Sequence, residues 1–337
     1  MKRQFFLPIL TVAVILTGIA AHTVVSAQFS EEEWIECIDM GRDDQTCSEL
    51  DEFLDEVEER TSGTPSASRT ISNAGFTIRL NFMDEIPLPD GSEEPWTEAT
   101  QQPYVEVAEQ WLEIISGVQG VDRHRLTINF AVMDVGDDAL GIAAVDYESL
   151  QVYGPHVMPT QGYIVVNDIF YDAAAILEFD GEDAVREELD ANIAHEIGHV
   201  LGIGSLWNLD ALEPGRLDGS ETDYTGSYRN WSIESPFDDG VIYQKLNSAA
   251  IANYNQMFGT KFDFLPINFG HLYSIQQQEE DFGGNGKRYD SNGRQIPEMG
   301  WELMGHGMIL SPITIGLLED LGWAVNYEAV EALARTR

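Results

Sequence analysis

The residues of this chain whose types and spacing could do chemistry are His195, Glu196 and His199, in the run His195-Glu196-Ile197-Gly198-His199. Positions i and i+4 lie one turn apart on a helix, so imidazoles spaced this way share a face and can hold one metal ion between them. Zinc at catalytic sites takes three protein ligands and a water whose pKa falls to about 7. Glu196, a step further round the helix, reaches such a water rather than the ion. The triplet predicts a zinc site with His195 and His199 as ligands and Glu196 as the general base of peptide-bond hydrolysis. The plain alternative is a pair of ordinary surface histidines, and the surrounding residues argue against it.

The element that must position the triplet is a helix starting near Asp183 or Ala184. Glu182 and Asp183 suit its positive N-terminal end. Val185, Leu189, Ile193, Ile197 and Val200 then form one apolar stripe. With Ile193 and Ile197 facing the core, His195 and His199 are expected to point into a cleft. Gly202 suits an abrupt helix end, because glycine takes the left-handed conformation readily. Upstream, the alternation in 76–82 and the runs 126–133 and 162–167 predict strands, and 103–115 predicts a helix. The fold class expected is α+β: a twisted mixed sheet, mostly parallel, with helices packed on it.

Downstream of Gly202 the residues resemble a family. H-E-x-x-H-x-x-G marks the metzincin clan of zinc peptidases, most of which place a third histidine six residues after the second ligand; Ser205 stands there instead. The chain is more similar to the leishmanolysin family, whose third histidine lies far downstream, ahead of an E-L-M segment. Here Glu302-Leu303-Met304 is preceded by His271 and followed by His306, and 311–323 looks like the family's closing segment. The resemblance spans 76–328 and is sharpest over 189–207 and 300–326. It implies a zincin fold, zinc as cofactor, His271 as third ligand with His306 the alternative, and a turn at Met304 beneath the metal. The chain departs from bacterial relatives at His271-Leu272-Tyr273-Ser274, where they carry H-W-x-E, and in a polar insert over 276–300. Two rivals stay open: a thermolysin-like site with Glu221 as third ligand, and a non-catalytic zinc-binding surface or adhesion protein. His124 and His156 precede the motif and read as ordinary residues, although His156 could line the cleft.

The remaining features bound where the protein works. Lys2 and Arg3 precede a charge-free apolar run that ends near Val25-Ser26-Ala27, the layout of a signal peptide over 1–27 and of a secreted protein. Without cleavage the same run is long enough to anchor the chain in a membrane. Residues 28–70 form an acidic, helical segment and polar linker, a candidate pro-region. Its Cys37 and Cys47, the chain's two cysteines, are expected to pair, or else one caps the zinc as a thiolate. The catalytic domain divides into 71–205 with the zinc helix and a mostly helical or irregular 206–337 supplying the third ligand. With 58 acidic against 18 basic residues, the surface repels nucleic acid and anionic lipid. The partners expected are protein or peptide substrates.

Overall fold

The computed structural model describes residues 53, 55–88, 92–135, 140–171, 182–206, 227–231, 240–268, 271–274, 287–289, 293–305 and 307–329. The expected signal peptide over 1–27, Cys37 and Cys47, Glu221, His306 and most of the 276–300 insert lie outside them. Along the chain run helix α1 (55–61), strands β1 (Ala67–Ser72) and β2 (Phe76–Phe82), helix α2 (Glu98–Ile114), and strands β3 (Ile115–Val118), β4 (His124–Met133), β5 (Gly141–Val145) and β6 (Gln161–Asn167). Helix α3 (Glu182–Val200) follows, then strands β7 (Ser227–Trp231) and β8 (Gly240–Gln244), helix α4 (Ala249–Phe258), strands β9 (Leu265–Asn268) and β10 (His271–Leu272), helix α5 (Pro312–Leu321) and strand β11 (Trp323–Val325).

The chain is a mixed α+β fold. Its five-stranded sheet has the order β1-β2-β4-β6-β5. The inner pairings β2/β4 and β4/β6 are parallel, and both edges, β1/β2 and β6/β5, are antiparallel. The sheet is therefore mixed, but not mostly parallel. The two edges are the part that period and composition concealed. Strand β1 (ASRTIS) is polar and largely exposed, so the end of the expected linker, at Ala67 and Ser68, pairs back onto β2. Asn73 closes that hairpin, its side-chain oxygen accepting from the backbone N–H groups of Gly75 and Phe76.

Alternation in β2 works as expected: Phe76, Ile78, Leu80 and Phe82 are buried and lie in register with His124, Leu126, Ile128 and Phe130 of β4. That apolar face carries both long helices. Tyr104 of α2 meets Phe82 and Phe130 edge-on. A Cβ on Gly162 of β6 would come within 2.7 Å of Val200 of α3, so glycine lets that helix lie close on the sheet. The opposite face is polar, with Asn81 donating to Asn129 and Asn129 donating to the Thr61 carbonyl at the end of α1.

Helix α2 begins five residues before the expected start at Pro103. Thr97 and Thr100 cap it reciprocally, and Pro103 sits inside the helix rather than at its first turn. The C-terminal part is also less irregular than expected: β7-β8-β9-β10 form an antiparallel sheet. These strands have two to five residues each, too short for an alternation signal. Helix α4 packs against β9, and helix α5 packs against α4 and β11.

Candidate metal centre

Helix α3 forms where the stripe places it. Val185, Leu189, Ile193, Ile197 and Val200 are all buried. His195 and His199 project one turn apart from its last turns. The chain then reverses: Gly202 and Gly204 take φ of 109° and 75°. This turn brings the Ile203 carbonyl within 2.9 Å of His199 Nδ1. A Cβ at Gly202 would also lie 2.6 Å from Leu206 Cδ1. Gly202→Ala is expected to destabilise the protein by about 1–3 kcal/mol, the usual cost of a strained backbone position; an unchanged denaturation midpoint would show that the turn tolerates a side chain.

His271 arrives from another part of the fold, on the β9–β10 hairpin, where it pairs with Asn268. Tyr273, two residues on, is held from several sides. Its N–H donates to Pro266, its carbonyl accepts from Met299, and its hydroxyl accepts from the Arg288 N–H. The Arg288 guanidinium lies 4.6 Å from the Tyr273 ring centroid and donates to the Ile267 carbonyl. Both described parts of the polar insert, at Arg288 and at Met299, are thus tied to the strands that carry His271.

The three Nε2 atoms converge. They are separated by 3.0 Å (His195–His199), 3.0 Å (His199–His271) and 3.2 Å (His195–His271), with all three rings buried. A tetrahedral ion with bonds of about 2.0–2.1 Å sets its ligands roughly 3.3–3.4 Å apart. The tautomers make the case stronger. His195 Nδ1 lies 2.6 Å from the Leu303 carbonyl, and His199 Nδ1 faces that of Ile203. A carbonyl only accepts, so both Nδ1 atoms donate, and the neutral rings turn Nε2 lone pairs towards each other. Burial holds His195 down at about 4, which disfavours a second proton on that ring. Two lone pairs 3.0 Å apart repel unless a cation sits against both. The three histidines are close enough to bind a metal ion, and their donor set fits one.

Glu196 stands beside this cluster, fully buried. Neither carboxylate oxygen has a hydrogen-bond partner among the described residues, and burial pushes the carboxyl up to about 8. Histidines and glutamate are covered rather than lining an open cleft, a departure from expectation. The hairpin of His271 and the turn at 303–305 fold over the face that α3 alone would leave open. Met304 in that turn is buried, and its Sδ would be 2.5 Å from a Cβ on Gly198. The variable glycine inside H-E-x-x-H is therefore the seat of the methionine.

The other histidines among the described residues are elsewhere. His124 donates from Nε2 to the Pro159 carbonyl, lies with Nδ1 3.4 Å from the Tyr153 hydroxyl, and stacks on Phe76. His156 packs against Gly322 rather than lining the site. Ser205 contributes its carbonyl to the Tyr147 hydroxyl. Residues that no motif disclosed are the carbonyl carrier Ile203 and the hairpin clamp Arg288, while Leu303, inside the E-L-M segment, carried no sign that its carbonyl would meet His195; the glycines at 202 and 204 were the available signal for the turn at Ile203. Next to the cluster lies an apolar cavity of about 310 Å³, bounded by Trp111 and Ile114 of α2, Ala191 and Ala194 of α3, Leu303 and Ile309.

Fold and site thus define an α+β chain with a buried three-histidine group able to take a metal ion. No protein-family model, no curated protein and no solved structure matches the chain.

Proposed function

We propose that this protein is a secreted zinc-dependent endopeptidase of the leishmanolysin-like, metzincin type. The observation that carries the reading is the convergence of three buried imidazole Nε2 atoms, with Glu196, next to His195 in the chain, a buried carboxylate that has no hydrogen-bond partner among the described residues. His195, His199 and His271 would hold the ion, and His271 in the third position argues against the glutamate-ligand alternative at Glu221. Met304 against Gly198 suits the methionine turn of that clan. The start of the chain, from Lys2 to Ala27, supports export. Among the described residues no helix is long and apolar enough to cross a membrane.

Zinc held by these histidines would lower the pKa of a water to about 7 and polarise the scissile carbonyl. Glu196 takes the proton of the attacking water and returns it to the departing amine. The neutral His195 and His199, each fixed by a carbonyl at Nδ1, keep Nε2 as a lone-pair donor throughout. The dry surroundings strengthen every charge interaction at the reacting carbonyl. The apolar cavity at Ala191 and Leu303 suits a non-polar side chain of the substrate.

A non-catalytic zinc-binding protein is the reading to be distinguished, since Glu196 and the histidines are covered. Metal analysis and casein digestion, with and without a chelator, separate the two. We expect about one zinc per chain, loss of digestion with chelator, and recovery when zinc is restored. Bound zinc without chelator-sensitive digestion would favour the binding protein; no bound metal would remove both readings.

A further inference from the structure

Glu302 is fully buried, is not a metal-ligand candidate, and takes no part in the mechanism above. Its carboxylate is nevertheless fully used. Oε2 accepts from the Met304 N–H at 2.7 Å, while Oε1 accepts from the Ser311 N–H at 3.0 Å and from the Thr314 hydroxyl. Its own carbonyl accepts from Gly305 and Gly307, and the Leu303 N–H donates to Ile309. The Glu302 side chain thus ties the turn at Met304 to Ser311 and Thr314 at the start of α5.

The contact to Met304 has a specific consequence. The Met304 N–H and the Leu303 carbonyl belong to one planar peptide unit and point in opposite directions. The carboxylate grips one end of that plane at 2.7 Å; the other end accepts from His195 Nδ1 at 2.6 Å. Carboxylate, peptide and imidazole therefore form a continuous chain of hydrogen bonds, each polarising the next.

Resting on the metal-site reading, we propose that Glu302 is a positioning residue: through the Leu303–Met304 peptide it fixes the tautomer and orientation of His195. It does for this ligand, across a peptide bond, what a carboxylate in direct contact with a ligating histidine does elsewhere. A neutral amide cannot replace it. In either orientation of a glutamine, its NH₂ group faces a backbone N–H, of Met304 or of Ser311, and one of the two contacts is lost.

The test is Glu302→Gln, compared with Asp320→Asn as a control for loss of a buried carboxylate. Asp320 accepts from the Ser248 hydroxyl and the Ala249 N–H at the start of α4, and among the described residues it makes no hydrogen bond to His195, His199 or His271. Zinc affinity is measured by competition with a chelator, and the His195 ring nitrogens by ¹⁵N NMR of the metal-free protein. Glu302→Gln is expected to weaken zinc binding about ten-fold, the lower end for loss of an outer contact, and to mix the His195 tautomers. Asp320→Asn is expected to lower Tm and leave both readouts alone. If Glu302→Gln does not fold, Thr314→Val removes one donor with little change of shape and should shift the same readouts in the same direction. Unchanged affinity and an unchanged His195 spectrum, in whichever variant folds, overturn the proposal. A wild-type chain that binds no zinc overturns the metal-site reading instead, and the metal-free spectrum still decides the role of Glu302.

Discussion

Glu196→Gln is expected to keep zinc bound and to lose about 10²–10⁴-fold in kcat on a peptide substrate, the range that general-base catalysis supplies. The substitution preserves shape at a position where Glu196 is fully buried. It removes only the ability to take a proton. The metal set does not include this residue, because the three Nε2 atoms converge without it. Zinc content by elemental analysis should therefore match wild type while hydrolysis collapses. Substantial turnover with zinc bound would refute the base assignment; loss of zinc would place Glu196 among the ligands.

His271→Ala should abolish zinc retention, whereas His306→Ala should not. Removing His271 leaves two ligands on one helix turn, and the affinity loss should exceed the roughly 10–100-fold that follows loss of an outer contact alone. The β9–β10 hairpin itself should survive, since Tyr273, Arg288 and Met299 hold it independently of the imidazole. The measurement is zinc retained after gel filtration against a chelator, with circular dichroism to confirm the fold. The reverse pattern would move the third ligand to His306.

Much of α3 was legible because its signals are local. The stripe from Val185 to Val200 repeats at the helical period, the i, i+4 histidines need only one turn of helix, and Gly202 takes the left-handed φ that its type allows. The core strands were legible for the same reason, since alternation from Phe76 to Phe82 directly reports a half-buried surface. Other parts carry little local signal. Strand β1 is polar and earns its place only by pairing with β2, and β7 to β10 are too short for a period to show.

The sequence by itself determined the chemistry on offer: His195, Glu196 and His199 on one helix, an acidic chain with an export-like start, and histidine candidates downstream. Tertiary structure decided what completes the group. His271 lies 72 residues from His199 along the chain and 3.0 Å from it in space, a closure set by the β9–β10 hairpin and its clamps. It also decided that both helix histidines donate from Nδ1, because the acceptors are backbone carbonyls of Ile203 and Leu303. Every residue carries a carbonyl, so no residue type marks which ones will be aimed at a ring. That selection is made by loop geometry, at Gly202 for one histidine and at the Glu302 turn for the other.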